Sequence, residues 1–414
     1  MFENLKIWYP KYVMSQLDKE KRFNERISKV IEFSKLPSLS IKLKSENKKI
    51  VFVTGSFNLL NPGHCRFLSE AKALGDILVV GVSTDESDYA SRGIGYPIIN
   101  SEIRAELVSH LIVVDYVTFV DEENPVGVLS VLKPDIFYVS ERLWNEKLHE
   151  GEEEVVMNLH GGKIITAKKV FPHINTQAVV DHVAHQRVFE IFGKYLSDKF
   201  SYDSTDIFKL LGPLDYELQK PSIPNSFAPH EKILEFSKLF EESEKFKKEG
   251  KKVVFVSGSY DLLHVGHARF IEQASLQGDI LFVGIPSDRA LNKLKGYGRP
   301  IVSQYSRALT LGHLDSVDRV FVFDSDTVYS SIETLKPDIF FTVLESWNLG
   351  YKESPEYKLM KELGGDVVTA SRQAPFTSAS LLLNVLAQRK VKEIFEDVLN
   401  VDESQTIKKE RPLR

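Results

Sequence analysis

The feature that most constrains the fold of this chain is an internal repeat. Residues 32–36 read Glu-Phe-Ser-Lys-Leu, and residues 235–239 repeat them at an offset of 203 (235 minus 32). The same offset, without a gap, pairs further residues along both halves, among them Gly55 with Gly258, His64 with His267, Asp85 with Asp288, Arg104 with Arg307 and Trp144 with Trp347. Agreement over the length of a domain indicates a duplication. Because 414 residues are enough for two domains, we expect two copies of one domain.

Within each copy, short apolar strands alternate with helical stretches. In the first copy the strand patterns cover residues 50–53, 77–80, 116–120, 136–139 and 164–167. Near-continuous apolar strands separated by helices are typical of a parallel sheet covered on both faces. The sequence therefore predicts an α/β protein with two tandem domains of this kind, whose ligands bind at the carboxyl ends of the strands.

Composition limits the class of protein. Hydrophobic residues make up 43% and charged residues 27%, which is typical of a globular chain. The net charge of −5 argues against general nucleic-acid binding. The single cysteine, Cys65, cannot form an internal disulfide and suits a reducing cytoplasm. Since no signal-peptide pattern or bilayer-spanning stretch is present, we expect a cytoplasmic protein without membrane or nucleic-acid partners.

The boundary between the copies is predicted from proline content. The connection from about Leu196 to Phe227 holds Pro213, Pro221 and Pro224, with Pro229 just beyond it. We therefore predict a first domain at residues 1–195, a linker at 196–228, a second domain at 229–400 and a polar tail at 401–414.

The most informative string lies in the second copy at residues 258–267, which read Gly-Ser-Tyr-Asp-Leu-Leu-His-Val-Gly-His after the apolar run 253–256. The pattern predicts a strand, a tight loop and a helix. Backbone N–H groups and the positive end of the helix dipole converge in such a loop, which favours phosphate. His264 and His267 share one helical turn, where they can stabilise charge on a phosphorus undergoing in-line displacement. Taken alone, the two histidines also fit a polar helix start or half of a metal site.

The whole string resembles the GxFDxxHxGH signature of the cytidylyltransferase-like nucleotidyltransferases, with Tyr260 in place of Phe. The resemblance implies a Rossmann-like nucleotidyltransferase domain in which His264 and His267 bind the reacting phosphates. It assigns nucleotide binding to the loop residues Gly258, Ser259, Tyr260, Asp261 and Gly266.

A basic loop at residues 292–300 follows the next strand of the second copy. Its Lys295 and Arg299 flank glycines and suit a loop that closes over triphosphate, although a solvated charged loop would look the same. The string resembles the LKGxGRP segment of the heptose-phosphate adenylyltransferases. The resemblance implies a catalytic Lys295, with Asp288 and Arg299 as candidate acceptor or loop residues.

Two further segments of the second copy resemble family motifs more loosely. Residues 372–380 are placed like the RTEGISTS motif, where Arg372, Thr377 and Ser378 fit and imply nucleotide binding. Helix capping explains Ser378 equally well. Trp347 stands where glycerol-phosphate cytidylyltransferases carry GDDW, but the two aspartates are absent and core packing is an equal explanation.

The first copy keeps the pattern of the fold and loses charged groups of the site. Asn58 replaces the family Asp, Asn61 replaces the first histidine, and Tyr96 stands opposite Arg299. His64, the counterpart of His267, and Arg92, the counterpart of Lys295, are basic residues that remain in this degenerate site. Because asparagine cannot carry positive charge, we expect this domain to be catalytically silent and to serve either as architecture or as a nucleotide site without turnover.

Residues 316–320 resemble the VD.V element that belongs to the dimer interface of the choline-, ethanolamine- and glycerol-phosphate cytidylyltransferases. Residues 115–117 are its counterpart in the first copy. The tandem architecture resembles eukaryotic phosphoethanolamine cytidylyltransferase, although there the first domain is the intact one. The resemblance implies that the two copies pack as an intramolecular pseudo-dimer. A homo-oligomer remains open.

These observations predict a nucleotidyltransferase that joins a sugar phosphate or an alcohol phosphate to CTP or ATP and releases pyrophosphate. Lys295 and Arg372 would neutralise developing charge, with Mg²⁺ bridging triphosphate oxygens. The alternative is a non-catalytic nucleotide-binding regulatory or assembly protein, against which the intact His264 and His267 argue. The local strings favour ATP and a sugar phosphate, whereas the architecture favours CTP and an alcohol phosphate.

Overall fold

The computed structural model describes residues 26–92, 97–120, 125–140, 151–167, 230–296, 299–344 and 350–371. Within these ranges the chain forms two parallel sheets with helices, one in each copy. The predicted α/β class with two Rossmann-like domains is confirmed.

The first copy contains a five-stranded sheet with the order β3-β2-β1-β4-β5, in which every paired strand is parallel. Its strands are β1 Ile50–Gly55, β2 Ile77–Ser83, β3 Tyr116–Val120, β4 Ile136–Ser140 and β5 Lys163–Ala167. Its described helices are α1 Leu36–Ser45, α2 Pro62–Lys72, α3 Asp85–Arg92, α4 Ser101–Ser109, α5 Val126–Leu132 and α6 Glu152–Leu159. All five predicted strands are present, and most extend by one to three residues beyond the predicted ends.

The second copy repeats this order and adds a short edge strand, giving β11-β10-β7-β8-β9-β6. Its strands are β6 Ile233–Leu234, β7 Val253–Ser257, β8 Ile280–Pro286, β9 Arg319–Phe323, β10 Ile339–Val343 and β11 Asp366–Ala370. Its described helices are α7 Leu239–Lys248, α8 Val265–Ser275, α9 Asp288–Lys295, α10 Gln304–Gly312, α11 Tyr329–Leu335 and α12 Pro355–Glu362. At the position of β6, the first copy has a single bridge between Val30 and Val117. The edge strand was not predicted.

Alternate residues of each central strand face two different apolar cores. In β1, Val51 and Val53 join a core that contains residues of both copies, whereas Ile50 and Phe52 join a core on the outer side of the first copy. This period of two is the geometry of a strand buried on both faces. The two sheets therefore share one apolar core, and each has a second core of its own.

The strand order reverses beside the central strand of each sheet. In the second copy, β7 pairs with β8 on one side and with β10 on the other. Ligands of open parallel sheets bind where the order reverses, at the carboxyl ends of the strands. This places the Gly258 loop, which follows β7, at the expected ligand crevice.

The two copies contact each other through reciprocal pairs that an approximate twofold axis relates. Leu60 pairs with Leu263 and Leu111 with Leu314, and both pairs differ by the repeat offset of 203 (263 minus 60, 314 minus 111). The Ile112 N–H donates to the His313 carbonyl at 2.9 Å, and the reciprocal Asp315 N–H donates to the His110 carbonyl at 2.9 Å. These contacts lie just before the two VD.V segments, in agreement with the packing expected from the sequence.

Candidate functional site

The site is built on the loop that joins β7 to α8. His264 directly precedes the helix with an extended backbone (φ −133°, ψ 169°). Its carbonyl accepts hydrogen bonds from the N–H groups of His267 at 2.9 Å and Ala268 at 3.2 Å. The predicted strand, loop and helix are confirmed. Because the first N–H groups of a helix lack partners inside the helix, this end of α8 favours an anion.

The loop is shaped by a contact between Gly258 and Tyr260. Tyr260 has a positive φ of 46°, and a Cβ atom on Gly258 would lie only 2.8 Å from the Tyr260 ring. A side chain at position 258 would therefore displace the buried Tyr260 ring. In the first copy, Phe57 (φ 50°) and Gly55 repeat this geometry. Tyr260 thus keeps the loop conformation of its phenylalanine counterpart and adds a hydroxyl group.

The two histidines of the second copy lie against each other. Their rings stack with centroids 3.8 Å apart and planes 22° apart, and the Tyr260 ring meets His267 edge-on at 5.1 Å. Burial lowers the pKa of His264 to about 4. Burial, together with the nearby His264 and Lys295, lowers the pKa of His267 well below its usual range, although the Leu262 backbone opposes this shift. Both imidazoles are therefore neutral at pH 7, and each carries one N–H donor.

Three buried polar atoms on these adjacent rings make no hydrogen bond of ordinary geometry with the described residues: Nδ1 of His264, Nδ1 of His267 and the hydroxyl of Tyr260. Buried polar atoms in folded proteins are nearly always paired. Three such atoms on rings in contact therefore indicate a place where a polar ligand completes the structure.

Asp261 ties this loop to the far end of the basic loop. Its Oδ2 accepts from Arg299 Nη1 at 2.7 Å, and its Oδ1 accepts from the N–H groups of Ile301 at 2.7 Å and Val302 at 3.0 Å. The carboxylate is buried. Asp261 and Arg299 therefore order this loop together. For Arg299 a loop role was one of the alternatives left open by the sequence.

The importance of Arg307 was not predicted from the sequence. Its side chain is buried, and it donates to the carbonyls of Ser259 at 3.0 Å, Val302 at 3.0 Å and Pro286 at 2.9 Å, and to the carboxylate of Asp288 at 2.8 Å. It therefore holds the backbone of the phosphate loop from below. Arg104 makes the equivalent contact to Ser56 in the first copy, so the repeat itself was the signal for a shared structural role.

Helix α9 carries one predicted site residue at each end. At its start, Asp288 Oδ1 accepts from the Gln304 N–H at 2.6 Å as well as from Arg307, and so joins α9 to α10. At its end, the Lys295 side chain is exposed to solvent. Its ammonium group is nevertheless partly desolvated, and this desolvation, together with repulsion from Arg299 and Arg307, lowers the pKa of Lys295 although Asp261 opposes the shift. Lys295 therefore lies near the loop as a cation whose positive charge the nearby Asp261 carboxylate balances only in part.

In the first copy, asparagines take over backbone contacts of the lost site residues. Asn58 Oδ1 accepts from the N–H groups of Ile98 at 2.8 Å and Ile99 at 3.3 Å, as Asp261 does at the equivalent positions. Asn61 caps α2 by accepting from the N–H groups of Gly63 at 3.0 Å and His64 at 3.3 Å. Its amide therefore occupies the helix start that His264 leaves open in the second copy.

The degenerate site also gains a buried carboxylate, Asp88, at the position of Leu291. Asp88 accepts from Asn58 Nδ2 at 2.6 Å and from the Ser56 hydroxyl at 2.7 Å, and lies 3.6 Å from Arg104. A negative charge therefore stands beneath the loop that would hold phosphate. His64 remains in place, with its ring centroid 5.3 Å from that of Phe57.

Several predicted residues lie outside the described residues, namely Tyr96, Trp347, Arg372, Thr377 and Ser378. For Arg92 the structure describes the backbone, as the last residue of α3, and not the side chain. The predicted linker at 196–228 and tail at 401–414 also fall outside the described ranges.

Neither a metal cluster nor a membrane-spanning helix is found in the part of the chain that the structure describes. No three His, Cys, Asp or Glu side chains there lie close enough to hold a metal ion. No described helix is both long and apolar enough to cross a bilayer.

Comparison with known proteins identifies relatives that match about a third of the chain. The chain is 38% identical over 146 residues to the bifunctional protein HldE of a Nitratiruptor species, covering 34% of this chain and 29% of the relative. It is 43% identical over 135 residues to the bifunctional protein HldE of a Helicobacter pylori strain, covering 32% and 28%. The chain thus spans less than a third of the length of these curated relatives.

Among solved structures, the chain is similar to the lipopolysaccharide core biosynthesis protein of Thermoplasma volcanium, with 33% sequence identity and a TM-score of 0.26. The match covers 30% of this chain and 98% of that one.

The profile of the cytidylyltransferase-like family matches both copies, at residues 52–207 and 255–382, which together make up more than half of the chain. Both matches contain the loop after the central strand, where the structure places the stacked histidines and their degenerate counterpart. The chain therefore belongs to the cytidylyltransferase-like family.

Proposed function

We propose that the second copy is a nucleotidyltransferase that joins a phosphorylated small molecule to CTP or ATP. An oxygen of the acceptor phosphate attacks the α-phosphorus of the nucleotide, the bond from that phosphorus to the β-phosphate oxygen breaks, and pyrophosphate leaves. The observation that carries the proposal is the pair of neutral, stacked imidazoles of His264 and His267 at the start of α8, with unpaired polar atoms beside them.

In this reaction the histidines act as hydrogen-bond donors to phosphate oxygens. Each neutral imidazole donates one N–H, and in a buried site such donors stabilise developing negative charge more strongly than they would in water. Binding of an anion would also favour their protonated form and raise their pKa. Lys295 adds a positive charge at the mouth of the site, where it would neutralise the leaving pyrophosphate.

The loop itself needs no side chain to bind phosphate. The backbone from Gly258 to Tyr260 is held open by the Tyr260–Gly258 contact above and by Arg307 on the Ser259 carbonyl below. Such preorganisation reduces the reorganisation needed during the reaction. Arg372, Thr377 and Ser378 are proposed to complete nucleotide binding, from their resemblance to the family motif.

Mg²⁺ is proposed to enter with the triphosphate, whose charge it would reduce. The carboxylates nearest the loop, Asp261 and Asp288, already accept hydrogen bonds from Arg299, Arg307 and backbone N–H groups. The ion would therefore be held mainly by phosphate oxygens and water, as Mg²⁺ commonly is.

For the substrates, we propose ATP and a sugar phosphate first. The support is the LKGxGRP-like string that ends at Pro300. CTP with an alcohol phosphate is the alternative, supported by the tandem architecture. The first copy is proposed to serve as architecture or as a nucleotide site without turnover, and the protein is proposed to act in the cytoplasm.

A pyrophosphate-release assay with the four nucleoside triphosphates and a panel of sugar and alcohol phosphates tests the proposal. His267→Ala should lower kcat by roughly 10²- to 10³-fold, the usual loss for one charge-stabilising donor. The matched variant His64→Ala in the first copy should leave kcat unchanged, with folding checked by circular dichroism. Product formation at the normal rate by His267→Ala would contradict the site assignment. Nucleotide binding without product from any pair would favour the regulatory alternative.

A further inference from the structure

The back of the histidine-bearing helix α8 is bound to the first copy by an alternating chain of charges. Arg269 Nε donates to Glu106 Oε1 at 2.7 Å, and Arg269 Nη2 donates to Glu106 Oε2 at 2.6 Å. Arg26 Nε donates to Glu272 Oε1 at 2.8 Å, while Arg26 Nη1 lies 3.8 Å from Glu106 Oε1. Arg26 and Glu106 belong to the first copy, whereas Arg269 and Glu272 belong to α8. The chain of charges is mostly buried, with side-chain exposures between 7% and 15%.

The geometry of α8 links this chain of charges to the site. Residues two positions apart on a helix project about 200° apart, so His267 and Arg269 point to opposite sides of the same turn. His267 faces the loop, where its ring contacts Tyr260 and His264. Arg269, with Glu272 three residues later on the same face, points to the first copy. A displacement of the back of the helix would therefore move His267.

The repeat shows that this contact is one-sided. The first copy has an arginine, Arg66, at the position of Arg269, but Arg66 pairs with Glu70 of its own helix at 2.7 Å. The counterpart of Glu106 in the second copy is Leu309, which carries no charge. Ser69 stands at the position of Glu272. Among the described residues, the helix with both histidines carries this two-point, charged attachment to the other copy. The matching helix of the first copy contacts the second copy through the neutral pair Ser69 Oγ and His313 Nε2, 3.2 Å apart.

Stability alone does not explain a buried chain of charges. Moving charges out of water is costly, and apolar side chains of similar size commonly stabilise a protein as well or better. A bidentate arginine–carboxylate pair, however, fixes both distance and orientation. Its advantage over an apolar contact is therefore geometric.

We propose that the first copy positions the histidine-bearing helix of the second copy, with Glu106 and Arg26 as positioning residues that act on His267 through Arg269 and Glu272. The inference rests on the proposed function of the second copy. It assigns the degenerate domain a role in the reaction that requires neither nucleotide nor turnover in its own site. Misplacement of a catalytic group by about 1 Å can cost on the order of 10²-fold in rate.

The test compares Glu106→Gln, Arg269→Gln, their double variant and Arg269→Lys, all in the full chain. Glu106→Gln keeps the shape of the side chain, so the domain is expected to fold. We expect kcat to fall by about 10-fold to 10²-fold for each single variant, with the nucleotide KM changed much less. The double variant should lose no more than one single variant, because both remove the same contact. Arg269→Lys keeps the charge but not the two-point contact, so its kcat should lie between those of the wild type and Arg269→Gln.

Arg66→Gln is the matched control, since it removes the equivalent arginine from the helix of the first copy. It should leave kcat unchanged. The proposal is overturned if Glu106→Gln and Arg269→Gln fold and retain normal kcat, or if Arg66→Gln lowers kcat as much as they do. It is also overturned if the two single effects on kcat simply add.

Failure of the proposed function is recognised separately, because the wild-type chain would then form no product with any substrate pair. In that case, hydrogen exchange of the backbone amides at the start of α8 tests whether Glu106 positions this helix. The amides of residues 265–268 should exchange at least several-fold faster in Glu106→Gln than in Arg66→Gln, after correction for global stability. Equal exchange in the two variants would overturn the proposal.

Discussion

The Tyr260 hydroxyl is the residue-level feature that most directly reports on a ligand. It is buried beside His267 and has no hydrogen-bond partner among the described residues. Removing an unpaired buried hydroxyl relieves a desolvation cost of about 1 kcal/mol or more, so Tyr260→Phe should leave the free protein as stable or more stable. If the hydroxyl donates to bound nucleotide, the variant should gain less thermal stability than wild type when ATP or CTP is added. A less stable free variant would show that the hydroxyl already has a partner.

His264 should make the stability of the chain depend on pH. Its pKa is about 4 in the folded protein, against 6.5 for an unperturbed imidazole, because burial disfavours the charged form. The unfolded chain therefore binds more protons between these values, and the free energy of unfolding falls as pH decreases from 6.5 towards 4. Between pH 7 and pH 5, wild type should lose about 2 kcal/mol more than His264→Gln in urea denaturation. Equal losses would show that the folded imidazole is solvated.

At the scale of elements, the loop after β7 and the segment 299–302 form one unit through Asp261. In the first copy both members of the Asp261–Arg299 ion pair have changed, to Asn58 and Tyr96. Asp261→Asn alone should keep the two backbone contacts but leave Arg299 unpaired, at a cost of about 1–3 kcal/mol.

The double variant Asp261→Asn with Arg299→Tyr copies the first domain and should recover stability relative to Asp261→Asn. Its nucleotide affinity should stay low, because a cation has been lost. Urea denaturation and nucleotide titration measure both effects. A double variant that loses the sum of the two single losses would show that the residues act independently.

Sequence patterns predicted the elements of this fold because local periodicity determines them. The apolar runs predicted β1 to β5, and the strand-loop-helix around Gly258 followed from its glycine and its histidines. The role of Arg307 and the contacts of the Asp88 carboxylate were not predictable in this way, since each depends on which distant polar groups the fold brings within hydrogen-bonding distance of a charged side chain. The edge strand β6 was missed because two residues are too short for a periodic signal.

At the scale of the whole molecule, the gapless repeat predicted two packed copies but not the core they share. An apolar cluster that crosses between sheets arises only when the inner faces of both copies meet, and a pattern within one copy cannot show its partner. The one-sided attachment at Glu106 and Arg269 likewise breaks the symmetry of the repeat. The divergence of the two copies therefore concerns both their sites and the contacts between them.

The shared core predicts that the two copies unfold as one cooperative unit. Leu111 and Leu314 are buried and pair with each other across the interface, so truncating either to alanine should cost about 2–5 kcal/mol. Because the two leucines pack in the same core, the loss of unfolding free energy in the double variant should differ from the sum of the two single losses by about 0.5–3 kcal/mol. Leu132→Ala is the control: it is equally buried but lies in the outer core of the first copy, and its effect should add to that of Leu314→Ala. Calorimetry should show a single transition for every variant, and two separate transitions in the wild-type chain would show that the copies are stable independently.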